Sequence, residues 1–433
     1  MIVTNKWPVV RLSTLAVGTK GAIAGGPFGS DLVSRDYVAS GVPVIRGGNL
    51  SNHAKFSFDD LVFVTENKAD AHHLNCAHPG DLVFTQRGTL GQVGLLPKNS
   101  PYSRFLISQS QMKMTVDPGR ADSLYLYNYF RLPSTVSYIE NHALQSGVPH
   151  INLGILKKLQ IICPPLSVQK KISAVISAYD ELIENNQRRI ALLEKMAEEI
   201  YREWFVRLRF PGREKVKFLR GLPQGWRVAE LSELASVNSS SVSRRGNPES
   251  ILYVDISSVS TSRIHNVTPY ASADAPGRAR RRVEHGDVIW SSVRPANRAY
   301  SLIYEPPENL IVSTGFAVIR PNAATPFTFL FFAVTSNPFV DQMTTVAKGA
   351  AYPATSFDDF EKAKLLVPSD DLLKNFHEKA APMFRQKHLL QQQSERLRKT
   401  FDLLLPRLIS GKLSVENLDI QFPPSMKEPI HEN

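Results

Sequence analysis

The sequence predicts an α+β protein: two copies of one mixed α/β module, each followed by a long helix, with the two helices pairing antiparallel as a coiled coil. Three observations predict it. An apolar seam with heptad spacing runs from Ile172 to Trp204. The second half of the chain repeats motifs of the first about two hundred residues later. Between the seams, short alternating apolar runs are bounded by glycine- and proline-rich turns, the pattern of short strands in an α+β domain.

The seam comes first because it organises the rest. Ile172, Ile176, Tyr179, Ile183, Asn186, Ile190, Leu193, Ala197, Ile200 and Trp204 are spaced alternately by four and three residues. Held over more than four heptads, that spacing indicates a long helix packed on another helix. Pro164, Pro165 and Ser167 mark its start, and Pro211-Gly212 its end. From Pro164 to Arg209 it would span roughly 65 Å at ~1.5 Å per residue, too long for a domain core and suited to a spacer.

The chain has 433 residues, 42% of them hydrophobic, enough for two or three domains. It holds no apolar run of transmembrane length. The opening MIVTNKWPVV has no signal-peptide core, and two cysteines, Cys76 and Cys163, make no disulfide framework. A cytoplasmic location is expected. The net charge is +11, which suits a polyanionic partner. Residues 1–165 carry 15 Lys and Arg against 10 Asp and Glu, and residues 210–365 carry 18 against 14. The helical segments are nearly neutral, so the excess lies on the two modules.

The repeat is explicit. Trp7-x-Val9-x-x-Leu12-Ser13-x-Leu15-Ala16 recurs as Trp226-x-Val228-x-x-Leu231-Ser232-x-Leu234-Ala235. Gly80-Asp81-Leu82-Val83-Phe84 recurs as Gly286-Asp287-Val288-Ile289-Trp290, with about 13 more residues in the first copy between Ala16 and Gly80. Leu106-Ile107-Ser108 matches Ile311-Val312-Ser313. The seam returns as Phe376, Ala380, Met383, Lys387, Leu390, Ser394, Leu397, Phe401, Leu404 and Leu408. Pro382 within it is expected to kink or start the second helix, and Gly411 to end it. Asn186 either lies in the seam, where a polar residue fixes register at some expense of stability, or faces solvent as a mismatch; the sequence leaves both open.

In the first module, strands are predicted at Val42–Arg46, Leu61–Val64, Asp81–Gln86, Gly91–Leu96 and Gln111–Val116, with helix over Ser123–Arg131 and again after Thr135. In the second they are predicted at Ile251–Asp255, Asp287–Val293, Tyr300–Tyr304 and Gly315–Arg320, with a helix at Phe327–Thr335. The loops carry Gly25-Gly26-Pro27-Phe28-Gly29-Ser30, Ile45-Arg46-Gly47-Gly48-Asn49, Thr85-Gln86-Arg87-Gly88-Thr89 and Ser108-Gln109-Ser110-Gln111. Amide, hydroxyl and guanidinium side chains between glycines suit base edges and phosphates. The candidate nucleic-acid contacts are Ser30, Arg46, Asn49, Gln86, Arg87, Thr89, Gln109, Gln111 and His150. In the second module they are Arg278, Arg280, Arg281, Ser292, Arg294, Asn297, Arg298 and Lys348. The run Arg278-Ala279-Arg280-Arg281-Arg282 reads as a basic loop before a strand, holding phosphates or simply solvated.

Other signals point nowhere. Gly88-x-x-Gly91-x-x-Gly94 departs from G-x-G-x-x-G and is followed by a strand and turn. His72, His73, Cys76 and His78 lack a second ligand pair and read as a surface turn. Asn337-Pro338-Phe339 lacks the second proline of an amino-methyltransferase motif and reads as a helix-terminating turn. Lys362-x-Lys364 after Asp358-Asp359 reads as a polar turn. No catalytic constellation and no metal site are expected.

With these stretches in hand, the chain resembles the specificity subunit of a type I restriction–modification enzyme. The resemblance rests on Gly26-Pro27-Phe28-Gly29-Ser30, Gly41-Val42-Pro43-Val44-Ile45-Arg46, Pro79-Gly80-Asp81-Leu82-Val83-Phe84 with Gly88-Thr89-x-Gly91, Pro164-Pro165-Leu166-x-x-Gln169-x-x-Ile172, and Leu404-Leu405-Pro406-Arg407-Leu408-Ile409-Ser410-Gly411-Lys412. The second module lacks the Gly-Pro-Phe-Gly-Ser loop, and Arg294-Pro295-Ala296 stands for Arg87-Gly88-Thr89. The resemblance implies two target-recognition domains, at 1–163 and 210–367, with a central spacer helix at 164–209 and a C-terminal spacer helix and tail at 368–433. It implies a non-catalytic chain whose domains each read half of a split double-stranded DNA site. The helices, through Ile172, Ile176, Tyr179, Ile183, Asn186, Ile190, Leu193, Ile200, Trp204, Phe376, Leu390, Leu397, Phe401, Leu404 and Leu408, would set the gap and dock subunits. The implied partners are two methyltransferase subunits carrying S-adenosylmethionine and translocase–nuclease subunits using ATP and Mg²⁺; the chain itself holds no cofactor. A fused DNA methyltransferase would need a cofactor fold for which no residues remain. A protein-only coiled-coil scaffold would leave two basic, loop-rich modules unexplained.

Overall fold

A computed structural model describes residues 7–50, 55–144, 148–219, 221–242 and 248–426. Residues 1–6, the start of the segment read above for a signal peptide, lie outside that set. The chain divides into two compact units, Met1–Glu184 with Ser394–Asn433, and Asn185–Gln393. Two long helices, Leu166–Tyr201 and Asp370–Ile409, contribute a segment to each unit.

The first unit holds two four-stranded sheets. One is antiparallel throughout, in the order Ile23–Gly25, Gln111–Met114, Leu82–Thr85, Val93–Leu95. The other runs Val62–Val64, Val42–Ile45, Phe105–Ile107, Cys76–Ala77, and its central pair is parallel. Val9–Arg11 pairs with Gln160–Ile162. The central strands are buried at every position, so they read as continuous apolar runs rather than alternating ones.

The second unit repeats this strand for strand. Its antiparallel sheet runs Ala235–Val237, Phe316–Pro321, Val288–Ser291, Tyr300–Leu302. Its mixed sheet runs Thr268–Ala271, Ser250–Val254, Leu310–Ser313, Ala279–Arg282, again with one parallel pair at the centre. Arg227–Glu230 pairs with Lys364–Val367. The repeated Gly-Asp motif now has a structural reason. Gly80 and Gly286 take φ of +91° and +90°, a region open to glycine. Each following aspartate is buried and accepts a backbone N–H, from His78 at 2.9 Å and Glu284 at 2.8 Å. The counter-cation differs. Lys113 Nζ lies 3.8 Å from Asp81, whereas Arg320 grips Asp287 with two bonds of 2.9 and 2.8 Å. The units also differ in their connections: the first adds a helix at Glu66–Ala71, the second a hairpin of Val259–Ser260 with Arg263–Ile264.

Each unit closes its core with helix segments. In the first, Ile172 and Ile176 pack in one cluster with Phe401, Leu405, Leu408 and the helix Ser123–Phe130. In the second, Trp204 and Tyr201 pack with Phe376, Phe384 and the helix Phe327–Thr335. Within the second unit Asn186 bonds Gln393 at 3.3 Å, Glu194 pairs with Lys387 at 2.6 Å, and the Trp204 and Phe376 rings lie 6.0 Å apart. As one residue number rises the other falls, so the helices run antiparallel. Asn186 is buried, which decides for the seam and against a solvent-facing mismatch. The seam is buried at Ile172, Ile176, Ile183, Trp204, Phe376, Leu390, Phe401 and Leu408. It is half-buried at Tyr179, Ile190, Leu193, Ile200, Leu397 and Leu404.

Four expectations are corrected. Pro382 neither starts nor interrupts the second helix, which begins at Asp370 and runs through it. Pro382 and Glu378 are both exposed, so the carbonyl that loses its donor faces water. Asn337-Pro338-Phe339 opens a helix, Asn337–Val346, capped by the Ser336 side chain with proline in the first turn, where its missing N–H is not needed. Lys364 begins a strand rather than continuing a turn. The basic run after Arg278 is an edge strand, Ala279–Arg282, with a bulge between Ala279 and Arg281. At its end the first long helix widens into a π-turn, Arg202–Val206, closed by Arg207 N–H to Arg202 O at 2.8 Å.

Candidate nucleic-acid interface

In the first unit the predicted loops converge at one end of the sheets. The Gly26 N–H donates to Gln111 O at 3.0 Å, and a Cβ at Gly26 would stand 2.1 Å from the Ser108 carbonyl oxygen. Only glycine fits there. Ser108 N–H bonds Ile45 O, Gln86 N–H bonds Ser110 O, and Ile151 N–H bonds Gln86 O, at 3.0, 2.7 and 3.0 Å. Arg87 and His150 form a bridge beside them. Ser30, Arg87, Thr89 and Gln109 are exposed; Arg46, Gln86 and His150 are half-buried.

Asn49 and Gln111 are buried and do not face solvent as anticipated. The Asn49 amide donates to Ser57 O and Asp59 O at 3.2 and 2.9 Å, and its oxygen accepts from Arg46 N–H at 2.9 Å. It therefore shapes its own loop. Gln111 bonds the Ser108 hydroxyl, and its Nε2, like Arg46 Nε, is buried with no hydrogen-bond partner among the described residues.

The second unit builds the same end differently. Ser292 N–H and hydroxyl reach Gly315 O at 3.0 and 2.8 Å, and Thr355 N–H bonds Ser292 O at 2.9 Å. Ser292 is buried and holds three loops together. Val293 bridges Ala354, and Lys348 bridges Ala354. These bridges mirror Arg87 with His150 and Leu144 with His150 in the first unit. The register is thereby corrected: Val293 matches Arg87, and Arg294 matches Gly88. Gly88 has φ +107° and Arg294 φ +50°, so the second unit places an arginine at a left-handed position that the first gives to glycine.

The arginines divide by what they touch. Arg298, also at φ +53°, is tied to Asn337 Oδ1 at 2.8 Å. Arg281 bonds the Ser241 hydroxyl at 3.2 Å and lies 5.1 Å over the Phe357 ring, and its desolvation pulls its pKa down. Arg280 bonds Gly277 O at 3.1 Å. Arg278, Arg294, Asn297 and Lys348 are exposed. The Arg294 guanidinium lies 4.6 Å over the Tyr352 ring and reaches Ala351 O at 3.4 Å. Left-handed backbone at a non-glycine residue costs about 1–2 kcal/mol. An exposed cation–ring stack returns about 0.5–1 kcal/mol, so the stack alone does not offset the strain. Tyr352 and Phe28, 69% and 71% exposed, are the aromatics among these loops that sequence reasoning did not select. The available signal was a large aromatic set among Gly, Pro and Ala in an otherwise polar loop.

The segment from His72 to His78, read above as a surface turn, instead passes through a buried strand at Cys76–Ala77. Cys76 is buried with its thiol directed to Ala69 O and His72 O, burial pushes its pKa up, and His73 and His78 bond backbone carbonyls. Among the described residues no group of three or more His, Cys, Asp or Glu is placed to hold a metal ion, and no helix is long and apolar enough to cross a membrane.

Residues 30–195, which include most of the first loop cluster and the head of the first long helix, match the type I restriction modification DNA specificity domain. The chain is 23% identical to the type I restriction enzyme MjaIX specificity subunit of Methanocaldococcus jannaschii, across 96% of this chain and 95% of that one. Over nearly its whole length the chain is similar to type I restriction enzyme specificity subunits. A second relative, the HindI specificity subunit of Haemophilus influenzae, is 32% identical over 23% of this chain and 22% of its own. The fold is shared with the crystal structure of the type I restriction–modification S subunit of M. genitalium, at TM-score 0.59 and 17% identity over 94% of this chain and 96% of that one.

Proposed function

We propose that this chain is a specificity subunit that reads a split double-stranded DNA target, one half with the loop cluster of each unit, and carries methyltransferase and translocase–nuclease subunits to it. The observation that carries the reading is the duplication itself. Two units of identical strand order present loop clusters at the same end of the same sheets, with different exposed side chains: Ser30, Arg87, Thr89 and Gln109 in one, Arg278, Arg294, Asn297 and Lys348 in the other. Equal scaffolds with unequal loops suit two unequal half-sites. The helices set the gap between them. The exposed faces of the helices, away from Ile172, Ile176, Trp204 and Phe376, dock two methyltransferase subunits. Methyl transfer to adenine from S-adenosylmethionine, and ATP- and Mg²⁺-dependent translocation and cleavage, belong to those partners.

The test exchanges residues 1–160 for those of a homologue of different specificity. Methylation should change at one half-site and stay unchanged at the other. A change in both halves would refute modular reading.

A further inference from the structure

The second unit contains a non-glycine residue in left-handed backbone whose strain its exposed ring stack does not offset. Arg294 occupies, at φ +50°, the position where the duplicate unit has Gly88 at φ +107°. Its backbone is fixed from both sides. Arg294 N–H donates to Pro353 O at 2.7 Å, and the neighbouring Val293 bridges Ala354. The guanidinium is held 4.6 Å over a Tyr352 ring that is itself 69% exposed. Strain of this kind persists where surrounding structure over-determines it and collects at functional sites. The planar fork is thus oriented before any ligand arrives, with one long bond of 3.4 Å to Ala351 O.

We propose that Arg294, positioned by Tyr352, reads one guanine in the half-site of the second unit by a bidentate bond to its O6 and N7 edge. A flat, pre-oriented guanidinium matches that edge and no other base edge. The inference rests on the second unit reading DNA. Arg298, equally strained, is excluded because a short bond of 2.8 Å to Asn337 Oδ1 holds its guanidinium, against the long 3.4 Å contact of Arg294 with Ala351 O.

The variants Arg294→Gly and Tyr352→Leu are expressed as full chains with the methyltransferase partner, and methylated sites are mapped genome-wide. The wild-type motif should contain a G·C pair in the second half-site. Arg294→Gly should lose the roughly 5- to 150-fold preference at that pair and leave every other position unchanged. Its thermal midpoint should rise, because glycine relieves the left-handed strain. Tyr352→Leu should weaken the same position only. A wild-type chain that directs no split methylation defeats the DNA reading as a whole. A split motif with no G·C pair in that half, or one unaltered by Arg294→Gly, overturns the guanine assignment alone. A fall in thermal midpoint with Arg294→Gly would make Arg294 structural and overturn it too.

Discussion

Replacing Arg320 by Met should selectively destabilise the second unit. Asp287 is fully buried and takes three bonds: two from Arg320, at 2.9 and 2.8 Å, and one from the Glu284 N–H at 2.8 Å. Without Arg320, a buried carboxylate keeps one donor and no positive charge. Breaking a buried pair from one side costs about 3–5 kcal/mol. At ~1.4 kcal/mol per factor of ten, amide exchange in Val288–Ser291 and Phe316–Pro321 should speed up about a hundred- to several-thousand-fold at pH ~7. Leu82–Thr85, in the other unit, should exchange as before. Burial already pushes the Asp287 carboxyl up, with Arg320 opposing; its removal lets it rise further. The folded state then keeps a proton that the unfolded state has released. Stability is therefore lost as pH rises from the ordinary carboxylate range through the raised folded value, so the deficit should shrink on acidification from pH ~7 to ~5. Exchange within threefold of wild type at pH ~7, or equal acceleration in both units, would refute the reasoning.

Arg87→Ala should reduce binding to target DNA by about 1–3 kcal/mol while sparing random DNA and subunit assembly; equal losses on both, measured by fluorescence anisotropy, would make Arg87 a phosphate contact. Inserting one heptad after Gln187 and a matching one after Gln391 keeps the seam in phase and adds about 10 Å of helix at ~1.5 Å per residue. The gap between half-sites should grow by about one to three base pairs at ~3.4 Å each, with both half-site sequences intact. An unchanged gap in an active complex would mean the helices do not measure it.

Much of the architecture was legible because it was written twice. Strand positions such as Val42–Ile45 and Val288–Ser291, and the helix Phe327–Thr335, follow from apolar runs between turns. The heptad spacing located both long helices. Tertiary pairing was less accessible. Ala279–Arg282 is a strand because Leu310–Ser313 offers it an edge, a partner thirty residues away that its own composition conceals. Pro382 looked like a breaker because its exposure, which makes the lost bond tolerable, is a property of the packed helix. In the loops, residue type indicated chemistry but not direction. Asn49 and Gln111 carry the amides expected at base edges, yet the loop turns them inward. The match of Arg294 to Gly88 depends on bridges to Ala354 and His150, far along the chain.

The central claim is that this subunit directs methylation to a split site through two independent units. Sequencing the methylome of cells carrying the chain with its methyltransferase partner tests it most directly. The account predicts methyladenine in a motif of two unlike half-sites separated by a fixed gap, absent from cells without the chain. A single continuous motif, or methylation that does not depend on the chain, would contradict it.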